Sequence, residues 1–581
     1  MTGAQSREPG SPARAALGAA VLALAFLIPR TAPGVTFEDA GELAAAASCW
    51  GVPHPPGYPL WMLVAAPMAH LASWIGLDPA RALVLLSATC AAGTCALLAR
   101  LASKWGASTT VAVLAGLLPL AAPTFTSQAL IVEVYALAAF VQVAALSVAL
   151  APRPRSLRVG VLFGLGLCAH ASTLLLAPVA AIAAWRGARF RGLALASAGG
   201  VAGLLPFVYV PLAAAADPAV NWGDARTGQR LLEHLTRQGY AGDGGALGPR
   251  IQFVLEQALL QWPAIAALAL VLALWLGRRG VGAAMVGSLA ATLVLGAVIG
   301  VLAVPYDVTP LALRTRIAPT FIPLVLLVST LGGTALIALE QRLRARAGAA
   351  TAPLLVAAAL ALAQVPAPSV ASGAVRMSRA DGAQRYLRET LEACPPDAIL
   401  VLNRMGFTDI LGFPVLYGQV ALGLRPDVTA IDRALLTTPW YREQLAGRAP
   451  DLAPAILALG NTYGADPERF GDPRQARLAS AEFLQTVFDG PRPVVLVERP
   501  GANVLRGRPI TPNERLWFVG APPPPEPEPV GPAWAWLAGQ PADPWTEELS
   551  GLAAERDLAR AEALRAAGRE ADADRLEAVR R

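Results

Sequence analysis

Apolar runs long enough to cross a bilayer recur from residue 13 to residue 367 of this 581-residue chain, and that recurrence decides the fold class. A hydrocarbon core of about 30 Å takes roughly 20 apolar helical residues, and in lipid every backbone polar group must find its partner within the protein. Composition excludes a water-soluble globule: 55% of residues are hydrophobic, 15% are charged and mean hydropathy is +0.48. The chain is expected to be an α-helical polytopic membrane protein.

The net charge of +6 is carried by arginine, Lys104 being the only lysine. These cations are read as topology markers, with no nucleic-acid partner implied. Arg7 and Arg14 ahead of an apolar stretch look like a signal peptide, but no small-x-small site follows and Arg30 comes directly after, so an uncleaved first span is expected at 13–30. If the apolar run 59–77 is counted as the second span, the basic clusters fall on inconsistent sides. Its prolines, His70, Trp61 and Trp74 suit an outer interfacial segment instead. Spans are then expected at 80–101, 108–123 and 129–150, with two short ones across 159–185 broken near His170. Further spans follow at 193–214, 261–277, 281–303, 318–339 and 351–367, about 11 in all. Every strong arginine cluster in a short loop lies inside, and the polar loops 31–79 and 215–260 share the outer face.

Residues 1–368 thus form the transmembrane unit, and the less apolar remainder is expected outside. The runs Ala398–Leu402, Asp427–Asp432 and Pro493–Glu498 read as buried strands separated by helical stretches, an α/β domain over 369–521. Pro522–Pro529 makes 522–546 a stiff Pro-rich linker, and 547–581 an amphipathic helical tail. The five cysteines form no framework: Cys90, Cys95 and Cys168 sit in apolar stretches, Cys49 and Cys394 have no spacing that argues for pairing, and no zinc motif occurs.

Chemistry is concentrated on the outer face. Asp39 and Glu42 are three apart and would share one helix face, where a carboxylate can act as general base or stabilise positive charge on a sugar carbon; a solvated loop is the plainer alternative. His54-Pro-Pro-Gly-Tyr58 is a rigid turn that either touches substrate or only shapes the loop. Glu133, with Tyr135, sits at the mouth of a span, where an ionisable group costs roughly 2–3 kcal/mol; it is a site candidate or an interhelical lock, and His170 divides the same way. Asn221, Trp222, Arg237 and Tyr240 offer amide, aromatic and cationic groups suited to sugar and phosphate. Arg314 and Arg316, on the outer side against the positive-inside trend, suit a lipid phosphate or a headgroup.

Taken in order, Asp39-x-Gly-Glu42, His54-Pro-Pro-Gly-Tyr-Pro-Leu60, Glu133-Val-Tyr135-Ala-Leu and Gly164-Leu…His170 resemble one family. So do Pro218-x-x-Asn221-Trp222-Gly-Asp224, Arg237-Gln-x-Tyr240, Arg425-Pro-Asp-Val428 and Trp440-Tyr441, the last two resembling its bacterial branch. It is the family of transmembrane protein O-mannosyltransferases, within the GT-C glycosyltransferase superfamily. The resemblance implies a GT-C fold, an essential acidic residue in the first outer loop, and transfer of a sugar, mannose in the named relatives, from a polyprenyl-phosphate carrier to a protein or glycan acceptor with inversion. It implies Asp39 as base supported by Glu42, a cavity lined by His54, Glu133 and His170, and Arg237, Arg314 or Arg316 facing the departing phosphate. No cofactor is inferred beyond the polyprenyl-phosphate sugar as donor, and metal dependence is left open, lipid-monophosphate donors generally requiring none. A bacterial inner membrane with the site facing outward is the implied location, and a transporter or flippase of a lipid-linked sugar is the rival.

Overall fold

The computed structural model describes residues 11–237, 247–261, 283–303, 316–347, 377–402, 408–463, 473–520, 532–540 and 544–580. The expected span 351–367, nearly all of 261–277, Tyr240, Arg314 and the Pro522–Pro529 run lie outside the described residues.

Helix starts follow local sequence. Prolines in the first turn open α1 (Pro12–Leu27), which is followed by α2 (Ala40–Ser48), α3 (Pro59–Trp74) and α4 (Pro79–Lys104). Proline fits there because its missing N–H would be unpaired in any case. The Asp78 carboxylate caps α4 by accepting the Arg81 N–H at 3.1 Å. Next come α5 (Thr109–Leu117), α6 (Pro123–Gln128), α7 (Tyr135–Ala149), α8 (Ser156–Ala169), α9 (Ala177–Gly203), α10 (Tyr209–Ala215) and α11 (Gly228–Thr236). Among the described residues, Pro12–Arg30, Pro79–Lys104, Ala171–Ala215 and Ala318–Arg344 are long and apolar enough to cross a membrane. Shorter apolar helices, α5, α7 and α8 among them, pack with these. Ala171–Ala215 is not one rod, because α9 leaves helical geometry at Ala188 and Arg189.

One span boundary moves. The helix expected from residue 129 starts at Tyr135, because backbone groups before it are engaged elsewhere. The Leu130 carbonyl accepts the Ala32 N–H at 2.8 Å, and the Val134 N–H donates to the Glu133 carboxylate at 3.0 Å. Glu133 therefore sits in a bent, non-helical stretch beside the outer loop.

The basic clusters collect at one end. Ser87 donates to the Glu133 carbonyl and Gly93 packs on Phe140, so α4 and α7 run side by side in the same direction, bringing Lys104 and Ala149 to one end. Ser156 touches Ala184, Gly187 and Gly192, which places Arg153–Arg158 beside Arg186–Arg191. The Ser108 N–H donates to Glu340, itself paired with Arg344, and brings the third cluster to the same end. His170 and the 31–79 loop lie at the other.

The α8–α9 seam is made of small residues. A Cβ on Gly160 would strike the Ala196 carbonyl oxygen, and one on Gly164 the Gly200 carbonyl oxygen. Such close backbone approach substitutes for a hydrophobic drive that lipid cannot supply.

The C-terminal part carries a five-stranded sheet ordered β2-β1-β3-β5-β4, with β1 Ile399–Leu402, β2 Thr429–Asp432, β3 Val494–Leu496, β4 Ile510–Pro512 and β5 Trp517–Val519. β1 is parallel to β2 and β3, while β5 is antiparallel to β3 and β4. The helix Pro544–Ala566 packs Leu549, Leu552 and Ala553 into the same core, so the segment after 547 joins the sheet. Helices Gly382–Glu392 and Phe413–Val420 continue the membrane unit's outer core: Ala383, Leu387 and Tyr417 cluster with Leu43, Tyr58 and Leu83. The Tyr417 hydroxyl donates to Asp78 at 2.7 Å and accepts the Ala80 N–H at 3.1 Å.

Overpacking a tight core typically costs 1–3 kcal/mol. Gly160→Val is expected to lose about that much, read as a lower unfolding midpoint in detergent, while Gly228→Ala, with no atom near its Cβ position, leaves the midpoint in place.

Candidate functional site

α2 places two carboxylates over one histidine. Asp39 is its N-cap residue and Glu42 sits in its first turn, so both face the loop that follows. Glu42 is fully buried. Its Oε1 accepts the His54 backbone N–H at 2.6 Å, and its Oε2 lies 2.5 Å from His54 Nδ1. The other ring nitrogen, Nε2, is 2.8 Å from the Tyr58 hydroxyl and 3.7 Å from Asp39 Oδ2. Asp39 differs from its neighbours in being open: its side chain is 40% exposed, against 10% for His54 and 0% for Glu42.

The chain reaches this arrangement through local backbone oddities. Glu38 and Tyr58 adopt positive φ, so α2 and α3 begin from sharp turns. The loop is tied down by a short parallel bridge: the Val52 N–H donates to the Val220 carbonyl and the Trp222 N–H to the Val52 carbonyl. The Tyr209 hydroxyl donates to the Gly51 carbonyl at 2.8 Å.

Burial opposes charge on both partners of the Glu42–His54 pair. It raises the Glu42 carboxyl. For His54 burial acts downward, but the facing charges of Glu42 and Asp39 outweigh it and push the imidazole up to about 9, against opposition from Arg237. The pair therefore keeps a proton, carried as imidazolium on His54 with Nδ1–H donated to Glu42. Burial likewise raises the Tyr58 phenol, keeping it neutral.

Aromatic rings wall the cluster. Tyr58 stacks on His170 with centroids 5.9 Å apart and planes at 7°, and Tyr135 leans on the same ring at 4.5 Å. Trp222 meets His54 edge-on at 6.3 Å. Glu133 is buried nearby, within the fields of Asp39 and His54. Arg237 ends α11 in left-handed geometry and its charge acts on His54 and Tyr58. Seven of the expected residues thus converge around His54: Asp39, Glu42, Tyr58, Tyr135, His170, Trp222 and His54 itself.

Others stand apart. The Asn221 amide donates to the Ala214 carbonyl at 3.2 Å and serves its own loop. Arg316 is half-buried, two residues before the short turn Ala318–Phe321 that leads into the helix Ile322–Ala347, and Tyr240 and Arg314 fall outside the described residues.

Three further residues contribute: His234 and Phe413, which no sequence signal marks, and Trp440, which the sequence marks only within the Trp440-Tyr441 resemblance. His234 on α11 is buried against Gly57 and Gly223, where burial, then His54 and Arg237, depress it to about 3. Phe413 and Trp440, from the C-terminal part, contact Trp222 at 6.0 and 5.1 Å. Among the described residues no group of three or more His, Cys, Asp and Glu side chains is disposed to hold a metal ion.

The comparisons agree with this architecture. Residues 39–189 match the family described as the protein O-mannosyl-transferase TMEM260 N-terminal domain. Protein O-mannosyl-transferase TMEM260 of Mus musculus is 28% identical over 483 residues, covering 76% of this chain; the chain in turn spans 65% of that relative's length. ArnT from Cupriavidus metallidurans superposes with a TM-score of 0.52, over 87% of this chain and 97% of that one, at 13% identity when bound to undecaprenyl phosphate and 14% in the apo state. At that identity the likeness is one of fold. This is an integral membrane protein with the GT-C fold and a small C-terminal sheet.

A proton held to about pH 9 by the folded chain, against 6.5 for an ordinary histidine, adds stability that is complete below pH 6.5 and is lost as pH rises through 9. The raised Glu42 has the same sign. Thermal stability of the detergent-solubilised protein is expected to fall between pH 7 and 10, by about 3 kcal/mol in all. His54→Asn should flatten that fall; a wild-type profile level across this window would contradict the assignment.

Proposed function

We propose that this chain is a membrane glycosyltransferase that takes a sugar, mannose by the name of its relative, from a polyprenyl-phosphate carrier and moves it to an acceptor hydroxyl. The observation that carries the reading is Asp39: a half-exposed carboxylate in a cluster whose other acid–base groups are sealed. Asp39 accepts the acceptor's hydroxyl proton while that oxygen attacks the anomeric carbon. The bond from that carbon to the phosphate oxygen breaks on the opposite face, giving inversion, and the lipid phosphate leaves with the electron pair. Negative charge grows on the phosphate, and Arg237, whose charge reaches His54 and Tyr58, is the arginine to offset it; Arg314 and Arg316 remain the other candidates. Glu42 cannot touch substrate, since both its oxygens are engaged by His54, so it acts as a positioning residue. Tyr58, Tyr135, His170 and Trp222 shape the wall, with Glu133 behind it.

The fold shared with a protein that binds undecaprenyl phosphate supports a lipid-phosphate donor. The acceptor is a protein or a glycan, and the basic clusters gathered opposite the site support an outward-facing site in a bacterial inner membrane. The rival reading, a transporter or flippase, calls for charged groups near the midplane, whereas here they sit at one end of the bundle.

Asp39→Asn should leave the protein folded and lower transfer of labelled sugar from polyprenyl phosphate roughly 100- to 10,000-fold in proteoliposomes. Unchanged transfer would overturn the assignment of Asp39.

A further inference from the structure

The C-terminal sheet points its carboxyl edge at the membrane unit. The segment after β1 leads to Phe413, whose backbone lies on Gly41 of α2; a Cβ there would strike the Phe413 carbonyl. The segment after β2 leads into the helix Pro439–Arg448, whose Gln444 donates to the Asn221 carbonyl at 2.5 Å and whose Arg448 donates to the Ala219 carbonyl at 2.6 Å. In open α/β sheets ligands bind beyond the carboxyl ends of the parallel strands. Here β1, β2 and β3 are parallel, and the elements following β1 and β2 reach the site around His54.

At that edge Trp440 meets Trp222 with centroids 5.1 Å apart and planes at 39°. Both indoles are half-buried, so each keeps part of its surface open. Trp222 in turn is 6.3 Å from His54, which is 3.7 Å from the Asp39 carboxylate. An open aromatic surface two contacts from a reactive carboxylate is suited to the C–H face of a sugar ring, with the ring hydroxyls left to polar neighbours. The ion pairs at this junction do not explain the indoles. Arg230–Glu443 involves a glutamate side chain 54% exposed, and such pairs contribute about 0–1 kcal/mol.

We propose that Trp440 and Trp222 together form a pyranose-binding platform, and that the C-terminal domain thereby supplies part of the substrate site. This rests on the glycosyltransferase reading. The pyranose belongs either to the donor or to a glycan acceptor, and kinetics separates the two: the KM for polyprenyl-phosphate mannose rises in the first case, that for the acceptor glycan in the second.

The test uses the full chain in detergent. Trp440→Leu keeps an apolar side chain at the junction but removes the aromatic face; Trp440→Phe restores one. Trp440→Leu is expected to raise one KM about tenfold with a smaller change in kcat, while Trp440→Phe stays within a few-fold of wild type. Magnetisation transfer from the protein to methyl α-mannopyranoside, read by NMR, should be present in wild type and lost in Trp440→Leu. A KM unchanged from wild type for both donor and acceptor in a folded, active Trp440→Leu protein, with magnetisation transfer retained, would overturn the platform and leave the transferase reading standing. A wild type that binds methyl α-mannopyranoside through Trp440 yet transfers no sugar would overturn the transferase reading instead.

Discussion

The contact on which the outer end of this molecule depends is the one between Glu42 and His54. Two backbone-distant groups, a helix carboxylate and a loop imidazole, are buried together 2.5 Å apart, with a second hydrogen bond from the same carboxylate to the loop's own N–H. An isolated charge at that depth would cost several kcal/mol, and removing either partner of such a pair typically costs 3–5 kcal/mol because the other is left uncompensated. The pair thereby ties the first turn of α2 to the turn that leads into α3. Asp39 and Tyr58 hold their places by facing the same imidazole, and Tyr58 fixes His170 by stacking. A half-open carboxylate needs a rigid surround if it is to meet a substrate at a defined distance.

That rigidity is completed from far away in the chain. The Phe413–Val420 helix packs on α2, Tyr417 bonds to the start of α4, and Trp440 leans on Trp222. One hydrophobic cluster runs across the expected boundary at 368, through Leu43, Leu83, Leu387 and Tyr417. The helices Gly382–Glu392 and Phe413–Val420 are therefore packed into the outer end of the bundle, and Phe413 and Trp440 reach Trp222 beside His54.

Much of this was legible in the sequence, for identifiable reasons. Asp39, Glu42 and His54 stood out because polar side chains are rare among apolar spans, and spacing three apart put the two carboxylates on one side. The arginine clusters, read as one side of a membrane, do collect at one end through Ser156 and Glu340. The buried strands showed as short apolar runs. What could not be read depends on contacts between distant residues. His234 and Phe413 join the site only through contacts between distant segments, and Trp440, marked in the sequence as part of a family motif, is given its place against Trp222 by the fold alone. α7 starts later than its sequence suggests, because the mostly apolar run 129–134 looks helical while its backbone groups bond to Ala32 and to the Glu133 carboxylate instead. Arg237 was read from its neighbours in sequence; its field on His54 is a product of the fold.

The chain has only four histidines, so the protonation of His54 can be observed directly. With 15N-labelled histidine, NMR of the detergent-solubilised protein, resonances assigned by His54→Asn, follows both ring nitrogens against pH. His54 is expected to remain an imidazolium through neutral pH and to titrate near 9, with Glu42→Gln moving that transition sharply downward. A His54 that titrates near 6.5, and does so equally in Glu42→Gln, would contradict the buried pair on which the site is built.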